Sequence, residues 1–182
     1  MDDAKKTVFL VGPRASGKTT VGRLLARALG RRFADTDVRL ENDLGMSIAR
    51  FVAENGWPAF REAESRALRD VCDGEGGKGL VVSTGGGMVL SAENRDYMRS
   101  RGVVVYLSAP VAVLADRLEK NGDAEKRPSL TGGAIAEEVG RVMAEREPLY
   151  RACAHFVVDA AAAPEAVCAA VKSLLEISRP PR

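Results

Sequence analysis

The chain has 182 residues, of which 46% are hydrophobic and 29% are charged, and its net charge is +2. This length and composition predict one soluble globular domain and exclude both a disulfide-stapled miniprotein and a disordered chain. No apolar run approaches the roughly 20 residues needed to cross a bilayer, and the balanced charge does not favour a nucleic-acid partner. We therefore expect neither membrane nor nucleic-acid binding.

Buried β-branched runs alternate with helical segments along the chain. We predict strands at 7–11, 32–34, 80–82, 103–107 and 155–158. We predict helices at 18–29, 37–44, 47–54, 58–72, 92–100, 111–118, 135–150 and 164–177. This alternation predicts a three-layer α/β/α fold, in which helices cover both faces of a five-stranded, fully buried parallel sheet.

Two segments have weak strand content and are predicted to lie over one edge of the sheet. One is a helical lobe at about 37–71, and the other is a long polar loop at about 119–133. We assign the whole chain, 1–182, to a single domain.

The three cysteines, Cys72, Cys153 and Cys168, form no CxxC pair. An odd number without metal-ligand spacing predicts small core residues in a reducing compartment. The first six residues have neither signal-peptide nor transit-peptide character. We therefore expect a cytoplasmic protein, and the absence of an oligomerisation motif favours a monomer.

A glycine-rich segment, Gly12–Thr19, fits the phosphate-loop pattern GxxxxGK[ST] between a predicted strand and a predicted helix. Its glycines let backbone N–H groups converge on phosphate oxygens at the start of the helix. Lys18 is expected to reach the β and γ phosphates, and the Thr19 hydroxyl is expected to bind Mg²⁺. The segment predicts binding of a nucleoside triphosphate, with ATP as the default.

The phosphate loop alone leaves two reactions open, which are transfer to a small acceptor and hydrolysis coupled to a switch. A GTPase switch requires DxxG and NKxD motifs, and neither Asp73-Gly74 nor Asn121-Gly122-Asp123 fits them. A small phosphate-loop protein with two lobes is more similar to a metabolite kinase.

Two carboxylates, Asp35 and Asp37, follow the second predicted strand. On an extended segment they would face opposite ways, one toward a metal and one toward a substrate hydroxyl. The alternative is that the two carboxylates are an N-cap pair, because Asp37 also suits the start of the next helix. The third predicted strand ends in Ser83-Thr84 without an acid, which favours Asp35 as the carboxylate on the metal side.

Two arginines are candidates for binding an anionic acceptor. Arg61 either forms a surface ion pair with Glu64 or is oriented by it toward a ligand. Arg146 lies on the apolar stripe of its helix, so we expect it to meet an anion, in an ion pair or in a ligand. The triplet Gly85–Gly87 is either a plain turn or a source of backbone donors.

Six motifs occur in one order along the chain: GPRASGKTT at 12–20, FADTD at 33–37, FREAE at 60–64, STGGG at 83–87, RPSLTG at 127–132 and EREPLYR at 145–151. Together they resemble the shikimate kinase family, within the nucleoside-monophosphate-kinase-like phosphate-loop proteins. The resemblance runs from about Val8 to Val171.

This resemblance implies transfer of the ATP γ-phosphoryl group to the 3-hydroxyl of shikimate. Asp37 would act as base, with Lys18 and Arg127, from the lid at 119–133, as the other catalytic residues. Thr19 and Asp35 would serve Mg²⁺. The residues implied for ATP are Ala15, Ser16, Gly17, Lys18, Thr19, Thr20, Arg117, Arg127 and Pro164. The residues implied for shikimate are Asp37, Arg61, Gly85, Gly86, Gly87 and Arg146.

Two other functions remain open at this stage. One is a related kinase with another small acceptor, such as gluconate, although FREAE and STGGG together favour shikimate. The other is a non-catalytic nucleotide-binding regulator, which would be expected to lack Lys18, Asp37 or Arg127.

Three further features are predicted to play smaller parts. The single tryptophan, Trp57, is expected in the core, with a wall of the acceptor pocket as the alternative. The single histidine, His155, is expected to be structural. Four alanines, Ala160–Ala163, stand where the family often has polar residues, which leaves backbone groups for contact with adenine.

Overall fold

The structure is a computed structural model that describes residues 6–74, 79–120 and 135–177. The strands are β1 Thr7–Val11, β2 Phe33–Asp35, β3 Val81–Ser83, β4 Gly102–Ser108 and β5 Phe156–Asp159. The helices are α1 Lys18–Leu29, α2 Thr36–Leu44, α3 Ile48–Asp73, α4 Ala92–Arg101, α5 Val111–Lys120, α6 Ile135–Cys153 and α7 Pro164–Ile177, with a 3₁₀ turn at Met88–Leu90.

The five strands form one parallel sheet in the order β2-β3-β1-β4-β5. The predicted five-stranded parallel sheet is therefore confirmed. β1 is the central strand, and the phosphate loop follows it directly. In a parallel α/β sheet, ligands bind outside the carboxyl ends of the strands, so this order places the loop in the middle of the binding edge.

Side-chain alternation along β1 divides the core into two layers. Val8 and Leu10 pack with α1 and α7 on one face of the sheet. Phe9 and Val11 pack on the other face with residues of α3, α4 and α6. Because successive side chains of a strand point to opposite faces, a continuously apolar strand requires helices on both sides. The three-layer α/β/α architecture is confirmed.

The two edge strands differ from the prediction of full burial. β2 is half-buried along its length, and in β5 only Val158 is fully buried. An edge strand has one neighbour instead of two, and its short length leaves part of it exposed to solvent. The prediction of five fully buried strands is correct for β1 and β3 and for most of β4, in which Val103 and Ser108 are half-buried, and it is wrong for these two edges.

The predicted break between two helices at 47–54 and 58–72 lies within α3. Gly56 has φ 80° and ψ 170°, which is not helical, and Pro58 starts the continuation. Leu40 of α2 packs with Ile48, Phe60 and other α3 residues in a small apolar cluster of their own. α2 begins directly after the carboxyl end of β2, and α3 follows α2 along the chain.

Of the predicted long loop at 119–133, residues 119–120 belong to α5 and the remainder lies outside the described residues. The three cysteines are buried free thiols, as predicted. Burial raises the pKa of both Cys72 and Cys153 to about 11, so these thiols stay protonated. Within the described part of the chain, no helix is long and apolar enough to span a membrane.

Candidate active site

Two of the cavities at the carboxyl edge of the sheet share a wall. The first has a volume of about 450 Å³ and runs along the phosphate loop. The second has a volume of about 60 Å³ and lies between α2, α3, α6 and the glycine triplet. Arg14, Asp37 and Gly86 line both. The difference in size suits a nucleotide in one and a compact acceptor in the other.

The phosphate loop has the backbone geometry of an anion site. Gly12, Ala15 and Gly17 have φ values of 148°, 59° and 89°, and Ala15 is the one non-glycine residue with positive φ among the described residues. Such turns point successive N–H groups into one concavity. The Ser16 hydroxyl is buried there without a hydrogen-bond partner in the described structure. A phosphate oxygen would satisfy it.

Lys18 brings a positive charge to this loop. Its side chain is buried, and Nζ donates to the Pro13 carbonyl at 2.6 Å. A buried ammonium group is costly unless its donors find acceptors. Nζ has three donors, and it lines the first cavity, where phosphate oxygens would serve as further acceptors.

Three oxygen-bearing side chains converge beside the loop. The Thr19 hydroxyl donates to Asp35 Oδ2 at 2.8 Å and lies 3.4 Å from the Ser83 hydroxyl. Hydroxyl and carboxylate oxygens are the ligands that Mg²⁺ prefers, usually together with waters and substrate phosphates. The residues present therefore fit Mg²⁺. Ser83 was not among the predicted metal-side residues, although its place at the end of β3 pointed to this edge.

The two carboxylates are separated by a helix start and not by strand alternation. Asp35 Oδ1 accepts from the Asp37 N–H at 3.0 Å and the Val38 N–H at 3.4 Å, so Asp35 is the N-cap of α2. Asp37 is already in the first turn of α2. The prediction of an extended segment is wrong, whereas the alternative of an N-cap pair agrees with the structure, in which Asp35 is the cap and accepts from the Asp37 N–H. Nevertheless, Asp35 lines the first cavity only, whereas Asp37 lines both.

In the second cavity, Arg61 Nη1 donates to Glu64 Oε2 at 2.6 Å. The Glu64 side chain is 3% exposed and that of Arg61 is 28% exposed, so this is not the surface pair that was one of the two predictions. Burial raises the pKa of Glu64 against the lowering influence of Arg61, and the nearby Asp37 carboxylate raises it further. A side chain at Gly85 would collide with Glu64 and Asp37, and one at Gly87 would collide with the Arg61 guanidinium.

Arg146 enters the second cavity from α6. It is buried, as its position on the apolar stripe predicted. Nη1 donates to the Gly86 carbonyl at 3.4 Å, and Nε is buried without a partner in the described structure. An unpaired buried guanidinium nitrogen is unfavourable unless an anion completes it. A ligand carboxylate beside Arg61 and Arg146 would do so.

Trp57 is not a core residue, and the prediction that it packs in the core is wrong. It is 36% exposed and lines the second cavity. The Arg61 guanidinium lies 5.3 Å from the Trp57 ring centroid and 5.0 Å from that of Phe60. These two aromatic rings help to hold Arg61 in place by cation–π attraction.

Comparison with known proteins gives this arrangement a family. The family model described as "SKI: Shikimate kinase" matches residues 14–176. The chain belongs to the shikimate kinase family. It is 53% identical over 171 residues to "Shikimate kinase 2" of Syntrophotalea carbinolica, covering 94% of this chain and 97% of that protein. It is 54% identical over 168 residues to "Shikimate kinase" of Oleidesulfovibrio alaskensis, covering 92% and 96%.

Solved structures of this family have the same fold. "Shikimate kinase from Acinetobacter baumannii in complex with shikimate" superimposes with a TM-score of 0.86 at 32% identity, covering 98% of this chain and 97% of that one. The enzyme from Aquifex aeolicus superimposes with a TM-score of 0.80 at 32% identity, covering 93% and 96%.

The structure gathers the described residues that the shikimate kinase resemblance implied. Those implied for ATP all line the first cavity: Ala15, Ser16, Gly17, Lys18, Thr19, Thr20, Arg117 and Pro164. Those implied for the acceptor all line the second: Asp37, Arg61, Gly85, Gly86, Gly87 and Arg146. Arg127 lies outside the described residues.

Arg117 holds two loops of the first cavity together. Its guanidinium donates to the Ala15 carbonyl at 3.2 Å, and to the carbonyls of Ala160 and Ala161 at 2.9 and 3.2 Å. The phosphate loop is thereby tied to the segment that precedes α7. Pro164, the first residue of α7, lies on the same cavity wall.

Sequence reasoning did not single out Tyr150, which is fully buried and donates to the Gly86 carbonyl. The available signal was its spacing, because residues four apart share a helix face and Tyr150 follows Arg146 by four. His155, outside both cavities, accepts a hydrogen bond from the Val104 N–H at 3.0 Å, which supports the structural role predicted for it.

Proposed function

We propose that this chain is a shikimate kinase, which transfers the γ-phosphoryl group of ATP to the 3-hydroxyl of shikimate. One observation carries the assignment. Asp37 lies on the wall shared by the two cavities, between the phosphate loop and the paired arginines Arg61 and Arg146. A base at that boundary can contact an acceptor hydroxyl that faces the γ-phosphate.

The acceptor side supplies binding and orientation. Arg61 and Arg146 bind the shikimate carboxylate, and the glycine triplet offers backbone donors without a Cβ in the way. A carboxylate bound at one end of a rigid ring fixes the direction of the hydroxyls at the other end. Fixing both reactants in line is a large part of catalysis of phosphoryl transfer.

Transfer begins when Asp37 accepts the proton of the shikimate 3-hydroxyl. The oxygen of that hydroxyl forms a bond to the γ-phosphorus, and the bond between the γ-phosphorus and the β-γ bridging oxygen breaks. ADP takes up the electron pair of the broken bond, and Lys18 and the N–H groups of the phosphate loop neutralise the oxygens. We assign Arg127 the same neutralising role. Thr19 and Asp35 would hold Mg²⁺, and the bound ion would further neutralise the phosphate oxygens.

The assignment is tested by measuring ADP release from MgATP with shikimate, with gluconate and without acceptor. We expect strong release with shikimate alone, and phosphorus NMR of the product should show a phosphate ester on the ring. Release with gluconate instead would favour the related kinase. ATP binding without any acceptor-dependent release would favour the non-catalytic regulator.

We also propose the wider setting of this activity. The chain acts as one phosphate-loop kinase domain, 1–182, with an acceptor lobe at about 37–71 and a lid at about 119–133 that excludes water from the transfer. Three free buried cysteines suit a reducing cytoplasm. A net charge of +2 favours neither nucleic acid nor a membrane surface as partner, and we propose a monomer that binds only ATP and shikimate.

A further inference from the structure

Two side chains of α6 donate to one backbone oxygen of the glycine triplet. The Tyr150 hydroxyl donates to the Gly86 carbonyl at 2.5 Å, and Arg146 Nη1 donates to the same oxygen at 3.4 Å. The two residues are four apart, so their side chains leave the same face of the helix. Tyr150 makes the shorter of the two bonds and holds the glycine triplet against α6.

Tyr150 is itself firmly held. It is fully buried, and its ring stacks on Tyr106 of β4 with centroids 5.0 Å apart and planes 20° from parallel. Burial raises the pKa of Tyr150 well above the usual value for tyrosine, so the phenol keeps its proton and remains a donor at neutral pH. The Gly86 carbonyl is thus fixed, through two aromatic rings, to an inner strand of the sheet.

The other polar groups of the triplet are held from elsewhere. The Gly85 N–H donates to the Thr36 hydroxyl at 3.0 Å, and the Gly85 and Gly87 carbonyls accept from the 3₁₀ turn. A planar trans peptide points its carbonyl and the following N–H in opposite directions. The bond at the Gly86 carbonyl therefore also fixes the direction of the Gly87 N–H. That N–H makes no hydrogen bond within the described residues, and Gly87 lines the second cavity.

We propose that Tyr150 is a positioning residue for acceptor binding, whose hydroxyl sets the direction of the Gly86–Gly87 peptide and leaves Arg146 available for the acceptor carboxylate. This inference rests on the proposed function. Without the hydroxyl, the Gly86 carbonyl would keep only its longer bond from Arg146. The guanidinium would then be drawn toward that carbonyl, and the donors facing the acceptor would lose their alignment.

The test is Tyr150→Phe, which keeps the ring, its volume and its stacking on Tyr106. We expect the KM for shikimate to rise about fivefold, the equivalent of one neutral hydrogen bond, with the KM for ATP unchanged. Trp57 lines the acceptor cavity and is the sole tryptophan, so its fluorescence should report the same weakening of shikimate binding without turnover. A purely structural hydroxyl would lower the Tm without separating the two KM values.

Tyr106→Phe is the matched control. Tyr106 belongs to the same ring stack and is equally buried, but its hydroxyl has no hydrogen-bond partner in the described structure. We expect both of its KM values to match the wild type. The inference is overturned if Tyr150→Phe leaves the shikimate KM unchanged, if it raises the ATP KM equally, or if Tyr106→Phe has the same effect.

Two further outcomes are distinguishable. A Tyr150→Phe protein that cannot be folded would overturn the inference, because the hydroxyl would then serve folding and not positioning. A wild-type protein that releases no ADP in response to shikimate would instead contradict the proposed function, since wild-type turnover is the reference for both variants.

Discussion

The Thr19 hydroxyl donates to Asp35 Oδ2 at 2.8 Å, and the other oxygen of that carboxylate caps α2. Asp35 therefore links the first turn of α1, which leaves the phosphate loop, to the first turn of the helix that carries Asp37. A change at Asp35 can act on the metal side and on the stability of α2, and the two effects can be separated by the choice of substitution.

Asp35→Asn keeps an oxygen that can cap α2 but removes the negative charge. We expect a nearly unchanged Tm and a clearly higher Mg²⁺ concentration for half-maximal activity, because a neutral amide is a poorer partner for the metal and its waters. Asp35→Ala should show the same metal effect and also lose about 1 kcal/mol of unfolding free energy with the cap. Equal Mg²⁺ dependence in wild type and Asp35→Asn would contradict a metal role.

Asp37→Asn should fold normally and lose most of its turnover. Removal of a general base lowers kcat by about 100- to 10,000-fold, whereas an amide of the same shape leaves the first turn of α2 intact. Steady-state kinetics and thermal unfolding measure the two properties. Asp43→Asn is the control on the same helix, because Asp43 makes an exposed pair with Arg39. Near-normal kcat in Asp37→Asn would remove Asp37 from the proton transfer.

Arg146→Ala should raise the KM for shikimate far more than the KM for ATP. Loss of a charge-assisted hydrogen bond weakens binding by about 10- to 100-fold. Arg61→Ala should act in the same direction, with an added loss of stability because it leaves the buried Glu64 without its cation. Arg151→Ala, which removes an exposed arginine of α6 paired with Glu147, should change neither KM. Equal rises in the KM for shikimate and the KM for ATP in Arg146→Ala would count against binding of the shikimate carboxylate by Arg61 and Arg146.

Gly87→Ala tests the packing between the glycine triplet and Arg61. Gly87 has φ −94°, so alanine brings no backbone strain, but its Cβ would collide with the Arg61 guanidinium. We expect displacement of Arg61 to raise the KM for shikimate at least as much as the substitution Arg61→Ala does. Gly140→Ala is the control, because a Cβ there meets nothing within 4 Å and should stabilise α6 by about 0.5–1 kcal/mol. A wild-type shikimate KM in Gly87→Ala would show that Arg61 does not act from this position.

Glu64 should make stability depend on pH. Burial raises its pKa above the ordinary value of 4.5, so the folded state binds this proton more tightly than the unfolded state. The contribution of Glu64 to stability is then greatest below pH 4.5 and is lost as pH rises from there through the raised folded value. The Tm of the wild type minus the Tm of Glu64→Gln should therefore fall as pH rises through this window. Glu54→Gln, at an exposed pair with Arg50, is the control. A difference that grows with pH would mean that Arg61 outweighs burial.

The elements that could be predicted from sequence are those with a signal in a few neighbouring residues. The bounds predicted for β1, α1 and α7 agree with the structure, because a continuous apolar run, a capped amphipathic helix and a proline start are each visible within a few residues. The predicted start of α2 is one residue late, because hydrophobic periodicity does not show that the Asp35 carboxylate accepts a hydrogen bond from the Asp37 N–H.

The remaining misses in the site are long-range. The Tyr150 hydroxyl meets Gly86 across 64 positions of sequence, and no local pattern announces such a contact. Trp57 was assigned to the core from its residue type alone, whereas its exposure depends on how α2 and α3 pack beside the sheet. Arginines on an apolar stripe, such as Arg146, are the more informative signal, because burying an unpaired cation is costly enough to require a reason.

The hydrogen bonds of Arg117 limit which mutations the segment beside the nucleotide cavity can accept. All three oxygens that it binds, at Ala15, Ala160 and Ala161, belong to the main chain. Ala161 is exposed and does not line the first cavity, so a new side chain there would point to solvent and leave those oxygens in place. Adding or deleting one residue would shift the whole register of carbonyls. The segment that precedes α7 should therefore tolerate substitutions at exposed positions but not insertions or deletions.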